Sequence, residues 1–430
     1  MLIGLLASAA GVSAAFAQSA PVPVAPRAMP VIPQATPQLA PPAVASPDPL
    51  AVPVELPPPL WQPIAAQELL GYIRTVGREG LDPRDYRPTE LELAIRGGDA
   101  MTLARAATDS FRKLAGDLAL GHVRGANRQQ WFVVDPDMNG ERMNQLLMQT
   151  VSTLQVRATL ETLLPTHPQY GSLKNALSLA KPGDVTAINK IRLNMDRWRW
   201  LPRDLGERYI IVNVPGQAAT LVENSQTRWK RRAIAGATKT PTPQLSVNAT
   251  GVILNPWWEV PQSLSSSVAG KRGYVAVKGK DGKVQRWRQP PGPSNALGKI
   301  KFVMQNSHAI YLHDTNNRGL FDAKARFLSH GCIRTEHILD LASELLSDDG
   351  GLYDRAKIDE VLASGKTVQA NFVKPVPVYI VYFSTAALTD GSLYQYDDLY
   401  RRDGRVLAAL NDHDGARAPG APAATKTAAK

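Results

Sequence analysis

The chain has 430 residues, a length that accommodates two or three domains of the usual ~150 residues. Hydrophobic residues make up 44% and charged residues 20%, which is ordinary for a folded soluble protein and excludes a chain embedded in the membrane throughout. The formal net charge of +11 indicates an acidic partner, but it does not distinguish nucleic acid from phospholipid or a carboxylate-rich polymer. The single cysteine, Cys332, excludes an intramolecular disulfide.

The two ends of the chain have compositions that predict no packed core. Residues 2–16 are apolar and lead into Ala15-Phe16-Ala17, a small-x-small pattern typical of signal-peptide cleavage sites, so we predict a signal peptide over 1–17. The usual positive residues before the apolar stretch are missing, which leaves an upstream start or an N-terminal anchor as alternatives. Residues 18–60 are rich in proline and predict an extended linker. Residues 411–430 predict a disordered basic tail.

Residues 61–200 show apolar side chains at helical spacing and predict an α-helical domain. The spacing of three or four residues is clearest within 64–73, 102–120 and 185–200. Prolines at positions 83 and 88 interrupt the pattern, because proline lacks the backbone donor that a helix requires. Packing alone accounts for such a region, so we predict that it supports the rest of the fold.

After Pro202 the sequence changes to short runs that favour β-strands, separated by glycine and proline. The predicted strands are 208–214, 218–223, 232–237, 251–254, 299–304 and 309–313. A helix is predicted over 336–346, and a hairpin of 378–386 and 392–396 is predicted to turn at Asp390-Gly391. The predicted fold class is therefore α+β, with a mainly-β domain over 201–410 behind the α-helical domain.

The residues best suited to chemistry surround Cys332. A cysteine is nucleophilic as the thiolate, and its ordinary pKa near ~8.5 leaves little thiolate at neutral pH unless an imidazole accepts the proton. His313 ends a predicted strand from which a loop can return the chain to Cys332, and His330 lies two residues before Cys332. Gly331 permits a tight turn whose amides point at a developing oxyanion. This combination predicts a thiol catalytic site.

Two other interpretations of these residues stay open. The segment His330-Gly331-Cys332 could be a structural turn, because free cysteines are commonly buried as small hydrophobic residues. His308, His313, His330 and Cys332 could also bind a metal ion, although the sequence lacks the paired ligands one helical turn apart that are typical of zinc sites.

The chain resembles the L,D-transpeptidase family at the residues that define its catalytic motif. That motif is a histidine followed, after a loop, by Ser/Thr-His-Gly-Cys and then an Asn or Arg two places later. Here the motif is His313, Ser329-His330-Gly331-Cys332 and Arg334. Segments 193–202, 255–261, 292–298 and 376–379 are similar to the large Gram-negative branch of the family, and the resemblance covers residues 61–410.

The resemblance implies a catalytic role for each residue of the motif. Cys332 is expected to be the nucleophile and His313 the general base. His330 is expected to border the oxyanion together with the backbone amides of Gly331 and Cys332. Ser329 is expected to orient a histidine, with a purely structural role as the alternative.

Substrate-binding residues are also implied. Arg334 is expected to bind a carboxylate of a peptidoglycan stem peptide through two parallel hydrogen bonds, with a purely structural role as the alternative. Tyr311, Trp257 and Trp258 are expected to border the cleft, with core packing as the alternative.

Two segments depart from the pattern of the branch. Its members usually carry a helical peptidoglycan-binding module, for which only residues 165–185 are available here. Their lid is also longer than the one predicted here over 262–290. The basic side chains of this short lid could attract acidic peptide groups or simply face solvent, and they are Lys271, Arg272, Lys278, Lys280, Lys283, Arg286 and Arg288.

The implied reaction is a two-step acyl transfer between a donor and an acceptor stem peptide of peptidoglycan, and the resemblance implies neither a metal nor an organic cofactor for it. The thiolate of Cys332 attacks the carbonyl of the third-position diaminopimelate, and the amine of a second diaminopimelate then takes the acyl group to form a 3-3 link. Open alternatives are an L-alanine donor that gives 1-3 links, hydrolysis as an L,D-carboxypeptidase or endopeptidase, and attachment or detachment of a protein at the wall. A non-catalytic wall-binding scaffold is the rival of a different class.

The setting follows from the same resemblance and from the signal peptide. We expect a periplasmic monomer, peripheral to the membrane at most, that has no nucleic-acid partner. Carbapenems, which acylate the cysteine of this family, are expected to inhibit it.

Overall fold

The computed structural model describes residues 50, 57–134, 138–347 and 352–413, all of which belong to one unit spanning 33–430. The predicted signal peptide, all but residues 50 and 57–60 of the predicted linker, and the tail from residue 414 onward lie outside the described residues. Within these ranges, every helix is too short or too polar to cross a membrane.

The fold is α+β, and a set of helices precedes the main sheet. The helices of the described residues are α1 (Pro63–Arg74), α2 (Pro88–Gly97), α3 (Ala100–Leu120), α4 (Gly140–Thr153), α5 (Val156–Glu161), α6 (Pro168–Leu179), α7 (Val185–Trp198), α8 (Ser265–Val268), α9 (Ile338–Leu346), α10 (Arg355–Ser364) and α11 (Asp403–Leu410).

The N-terminal helices bury one apolar stripe each in a common core. In α3, Asp99 caps the first turn by accepting a hydrogen bond from the Thr102 backbone N–H at 2.7 Å. Phe111 and Leu114 of this helix are fully buried, together with Leu69 of α1. This spacing of three or four residues is the amphipathic pattern that the sequence showed.

The strands form one large sheet and two small ones. They are β1 (Trp131–Phe132), β2 (Arg208–Asn213), β3 (Ala218–Glu223), β4 (Gln226–Gly236), β5 (Gln244–Leu254), β6 (Trp258–Glu259), β7 (Val275–Lys278), β8 (Val284–Gln289), β9 (Ile300–Met304), β10 (Leu312–His313), β11 (Phe327–Ser329), β12 (Ile333–Thr335), β13 (Val368–Val381), β14 (Thr385–Ala387) and β15 (Leu393–Gln395).

The large sheet closes on itself as a barrel. Its strand order is β5-β13-β2-β3-β4-β12-β10-β9, and β9 pairs back with β5, while β1 and β11 pair at the sides of β5 and β4. Closure leaves these strands without a free edge and fixes the register of the short β10 from both sides. Helix α9 buries Leu341 and Leu345 in the same apolar cluster as Phe302 and Leu312 of the barrel.

Helices α6 and α7 pack on the outer face of β2 and β13. Trp198 of α7 stacks between His167 and Phe383, with ring centroids 4.1 and 4.4 Å away. Met195 and Tyr379 lie in the same buried cluster. The segment similar to the Gram-negative branch, 193–202, therefore joins the helices to the barrel.

The predicted lid contains a small antiparallel sheet of its own. Strand β8 pairs with β7, which precedes it, and with β6, which carries Trp258 and Glu259. Arg286 and Arg288 of β8 each place a guanidinium nitrogen 3.2 Å from a carboxylate oxygen of Glu259. The hydrogen-bonded pairing gives this segment regular structure despite its many charges.

Most predicted elements are confirmed, with differences in length that have local causes. The strands predicted at 232–237 and 251–254 are the ends of the longer β4 and β5, whose first halves are polar and partly exposed. The strand predicted at 309–313 shrinks to β10. Asn306 explains this, because its side chain binds both the N–H and the C=O of Ile310, and Ala309 has a positive φ of 51°.

Two predictions near the C-terminus are wrong. Strand β13 does not belong to the predicted hairpin but pairs with β2 and β5 in the barrel; the hairpin is β14 with β15, turning through Asp390-Gly391. The start of the predicted disordered tail is ordered. Asn411 accepts a hydrogen bond from Arg192 at 2.9 Å, and His413 lies 3.1 Å from Asp85.

We predict that Trp200→Phe destabilises the protein by about 1–3 kcal/mol more than Trp131→Phe. The Trp200 indole N–H donates to the buried Asp196 carboxylate at 3.0 Å. The ring of Trp131 packs against that of Trp200, but the Trp131 indole N–H has no hydrogen-bond partner among the described residues. Both changes remove the same atoms, but Trp200 is fully buried and Trp131 is half-buried, so the difference contains both the lost hydrogen bond and the larger cavity at Trp200. Equilibrium urea unfolding measures it, and equal midpoints for the two variants would contradict the assignment.

Candidate active site

A row of three side chains crosses three neighbouring strands of the barrel. His313 of β10 is paired with Lys301 of β9 on one side and with Arg334 of β12 on the other. Residues paired across a sheet project to the same face. Since Phe302, Leu312 and their neighbours fill the barrel interior, alternation along each strand places this row on the outside.

The row is buried although it lies outside the barrel. His313 is 5% exposed and Lys301 is 8% exposed. Residues of two other segments interact with groups of this region. Trp258 interacts with the Tyr311 hydroxyl, and the carbonyl of Leu297 interacts with the His313 ring. The site is therefore a covered recess in which charges interact strongly.

The catalytic motif forms a turn between β11 and β12 that is hydrogen-bonded internally. The Ser329 hydroxyl donates to the Cys332 carbonyl and accepts from the Gly331 N–H at 3.1 Å. Gly331 has φ = +115°, and a Cβ there would lie 3.2 Å from the Ile310 side chain. A side chain at this position would strain the backbone, which explains the glycine.

Two threonines of the segment between β4 and β5 form further hydrogen bonds to the same turn. The Thr242 hydroxyl donates to the Gly331 carbonyl at 2.8 Å and accepts from the Gly236 N–H at 2.9 Å. The Thr240 hydroxyl donates to the Ser329 carbonyl at 3.1 Å. These contacts satisfy buried backbone groups and fix the direction in which Cys332 leaves the turn.

Cys332 is partly buried and lies beside the strand that carries His313. Its Sγ is 3.5 Å from the Ala309 carbonyl, and the N–H of Ile333 donates to the Tyr311 carbonyl at 3.1 Å. Burial raises the pKa of the thiol, while the Tyr311 backbone, Lys301, the Tyr311 hydroxyl and Arg334 act in the opposite direction. The resting residue is a thiol surrounded by groups that favour the thiolate.

His313 is held in its neutral form. Burial, with a further contribution from Arg334, lowers its pKa to about 3, and the carbonyls of Asp314 and Leu297 oppose this only in part. Its Nδ1 is buried and has no hydrogen-bond partner among the described residues. A neutral imidazole can accept a proton at neutral pH, which a general base requires.

Two predicted roles differ from the geometry. Ser329 was expected to orient a histidine, but both hydrogen bonds of its hydroxyl lie within the turn. The Gly331 N–H was expected to face the oxyanion, but it donates to Ser329 instead. The Cys332 N–H has no hydrogen-bond partner among the described residues, so it is the amide of this turn that is available to an oxyanion.

The remaining predicted residues lie at different distances from the thiol. The Tyr311 ring centroid is 5.6 Å from that of His313. The Tyr311 hydroxyl interacts with both Cys332 and Trp258. Trp257 instead stacks against Arg288, whose guanidinium carbon is 4.0 Å from its ring centroid. The His330 side chain is exposed and makes no side-chain hydrogen bond to another described residue.

The basic lid residues differ in exposure and in pairing. Arg286 and Arg288 are partly buried and paired with Glu259. The other five, namely Lys271, Arg272, Lys278, Lys280 and Lys283, are exposed.

Sequence reasoning missed two residues of the site. Lys301 interrupts the apolar run Ile300–Met304, and a charge within an otherwise buried strand was the available signal. Thr242 had no such signal, because its contact with Gly331 spans 89 positions and depends on the barrel closing.

A metal-binding arrangement is not present in the described ranges. No group of three or more His, Cys, Asp or Glu side chains within them is placed to hold a metal ion. His308, which was one candidate ligand, instead packs its ring 4.0 Å from that of Phe132.

Comparison with known families agrees with the motif. Residues 207–378 match the family described as the L,D-transpeptidase catalytic domain, and residues 57–177 match the family described as the scaffold domain. Residues 207–378 are therefore similar to L,D-transpeptidase catalytic domains, and the residues that precede them are similar to scaffold domains. These spans leave α7 and the last strands and helix, β14, β15 and α11, outside both matches.

One curated relative and several solved structures resemble the chain. A Haemophilus influenzae protein named "Putative L,D-transpeptidase" is 32% identical over 267 residues, which cover 56% of this chain and 53% of that protein. The chain thus spans about half the length of this relative. A cysteine-to-serine mutant of Enterococcus faecium L,D-transpeptidase matches at 12% identity and a TM-score of 0.22, covering 42% of this chain and 52% of that one.

A Mycobacterium tuberculosis L,D-transpeptidase 1 structure matches at 14% identity and a TM-score of 0.20, covering 41% of this chain and 61% of that one. TM-scores this low carry no argument about the site.

We predict that Thr242→Val destabilises the protein by about 1–3 kcal/mol, because it leaves the Gly331 carbonyl and the Gly236 N–H buried without a partner. Thr242→Ser keeps the hydroxyl and is the matched control. Urea unfolding of both variants, with the rate of Cys332 alkylation by iodoacetamide, measures the effect. If Val and Ser variants unfold together and react alike, Thr242 does not hold the turn.

Proposed function

We propose that this protein is a peptidoglycan L,D-transpeptidase that forms 3-3 links between stem peptides through a thioester on Cys332. The observation that carries the proposal is the hydrogen-bonded turn that presents Cys332 beside the strand of a neutral, buried His313. The family of the catalytic domain supports the same chemistry. The proposed location is the periplasm, where stem peptides are accessible.

The first step makes the acyl-enzyme. His313 accepts the thiol proton as Cys332 attacks the carbonyl of the third-position diaminopimelate, so an S–C bond forms and the amide C–N bond breaks. His313 then gives the proton to the departing D-alanine amine. A pKa of about 3 keeps His313 neutral before the reaction and favours release of the proton to the departing amine. It is far below the pKa that suits a general base, so the Cys332 thiolate has to stabilise the imidazolium as the proton moves.

The second step transfers the acyl group. The side-chain amine of an acceptor diaminopimelate attacks the thioester carbonyl, an amide forms, and the S–C bond breaks. His313 accepts the proton of the amine and returns it to the Cys332 thiolate, so the enzyme ends as it began. No cofactor takes part in either step.

The oxyanion of each step needs a donor that is free in the resting enzyme. The Cys332 N–H meets this requirement, whereas the Gly331 N–H is committed to Ser329. A donor that is already oriented stabilises the developing charge without reorganisation. The exposed His330 is adjacent in the chain and borders the same turn.

Donor recognition is proposed for the groups beside the thiol. Arg334 is partly buried, its Nε has no hydrogen-bond partner among the described residues, and it interacts electrostatically with Cys332. It can therefore bind a stem-peptide carboxylate next to the scissile bond. Tyr311 and Trp258 supply an apolar wall for the side chain of the donor.

We predict that purified peptidoglycan incubated with the protein gains new muropeptide dimers, and that Cys332→Ala abolishes them. The substitution removes the nucleophile and little else, because Cys332 is a small, partly buried side chain. Mass spectrometry of the digested wall material measures the dimers, and fragmentation identifies the donor residue. Circular dichroism of both proteins shows that the variant is folded.

Other outcomes assign other reactions. A link from L-alanine would replace 3-3 with 1-3 cross-linking, and shortened monomers would indicate an L,D-carboxypeptidase or endopeptidase. Release or capture of a wall-attached protein would indicate an anchoring function. Wall material unchanged by the folded wild-type protein would contradict the proposal and favour a non-catalytic scaffold.

A further inference from the structure

Lys301 is the one member of the buried row that the catalytic motif does not include. It lies on β9 directly opposite His313, in a strand whose other residues are apolar and buried. Burial of a lysine is costly unless its charge is paired or hydrogen-bonded. This position therefore calls for a functional explanation.

The Tyr311 ring connects Lys301 to the thiol. The Lys301 Nζ is 4.5 Å from the centroid of this ring, and the hydroxyl of the same ring interacts with Cys332. Strand β10 separates Lys301 from the segment that carries Cys332, and the long Lys301 side chain, lying over the Tyr311 ring, brings its charge within electrostatic reach of the thiol. An ammonium held over an aromatic face keeps a defined position.

No described carboxylate forms an ion pair with the Lys301 ammonium. Glu259 is the acidic residue whose charge reaches it, and Glu259 is already paired with Arg286 and Arg288 at 3.2 Å each. The positive charge of Lys301 is thus largely uncompensated in the resting site. A thiolate at Cys332 would compensate it.

We propose that Lys301 is a positioning residue that favours the Cys332 thiolate over the thiol by placing a positive charge in the same recess. The inference deepens the proposed acyl transfer and rests on Cys332 being its nucleophile. Lys301 forms no bond to the substrate in this scheme. Its effect on the reaction passes through the protonation state of Cys332.

The charged and titratable groups around the thiol differ in their charge at neutral pH. Arg334 faces it from β12 and stays charged at working pH, while His313 faces it from β10 and is neutral because its pKa is about 3. Tyr311 keeps its proton, since burial raises its pKa well above the ordinary value. Lys301 is the cation that titrates in this range: burial lowers its pKa to about 8, and the Cys332 thiolate and Glu259 oppose the shift.

The sign of the effect follows from that pKa. Below pH about 8 Lys301 is an ammonium and lowers the pKa of Cys332; above it the amine is neutral and the help is lost. Thiolate formation itself raises the pKa of Lys301, so the two groups titrate as a coupled pair. Removing the charge must therefore change the thiol most at neutral pH.

The test is the pH profile of Cys332 alkylation by iodoacetamide, which reacts with thiolate and needs no peptidoglycan. Lys301→Met replaces the ammonium with an apolar side chain of similar length and is expected to move the profile up by about one pH unit, a loss of roughly tenfold in rate at neutral pH. Lys301→Arg restores a charge and should return the profile towards wild type. Lys299→Met, at an exposed site two residues earlier, should leave it unchanged.

A Lys301→Met profile that coincides with wild type, in a protein whose circular dichroism is unchanged, would overturn the inference. So would equal shifts for Met and Arg at this position, because that result would indicate packing and not charge. The alkylation assay separates this inference from the proposed function. A shifted profile in a protein that forms no muropeptide dimers would support the role of Lys301 and reject the transpeptidase.

Discussion

The pairing of the short strand β10 with β9 and β12 is the constraint on which the rest of the site depends. It sets Lys301, His313 and Arg334 in one row on the outside of the barrel and places the Cys332 turn at the end of β12. A shift by one residue would turn His313 into the barrel and Leu312 out of it. The closure between β5 and β9 prevents that shift, because β9 is held along its whole length on its other side.

Burial gives this site its chemistry at a cost in electrostatic energy. Burial lowers the pKa of His313, which keeps its imidazole neutral, and it raises the pKa of the Cys332 thiol. Burial also lowers the pKa of Lys301, so its ammonium loses a proton more easily. The site therefore rests with a neutral imidazole at His313 and a neutral thiol at Cys332. In the proposed reaction, transfer of the thiol proton creates a negative sulfur near Lys301, Arg334 and a free backbone amide, and these positive groups stabilise the product of the transfer more than the resting state.

The sequence was sufficient to predict the class of fold and to single out the Ser-His-Gly-Cys motif, because both depend on short-range patterns. Apolar spacing identified α1 and α3, β-branched runs identified β2 and β3, and the Ser-His-Gly-Cys motif identified Cys332. Contacts between distant segments were beyond it. The hydroxyl of Thr242 reaches Gly331 across 89 positions, and the assignment of β13 to the barrel follows from pairing with β2 and β5. The hydrogen bond from the Gly331 N–H to Ser329 could not be predicted either, because the Ser329 hydroxyl is equally able to bind a histidine.

Cys332 is proposed to carry the acyl group, and intact-protein mass spectrometry after incubation with a carbapenem detects such a group as added mass. We expect one adduct per chain, located at Cys332 by peptide mapping and absent from a folded Cys332→Ala protein. Since Cys332 is the chain's single cysteine, no second thiol can account for the adduct. An unmodified wild-type protein, or an adduct that persists in Cys332→Ala, would contradict the account.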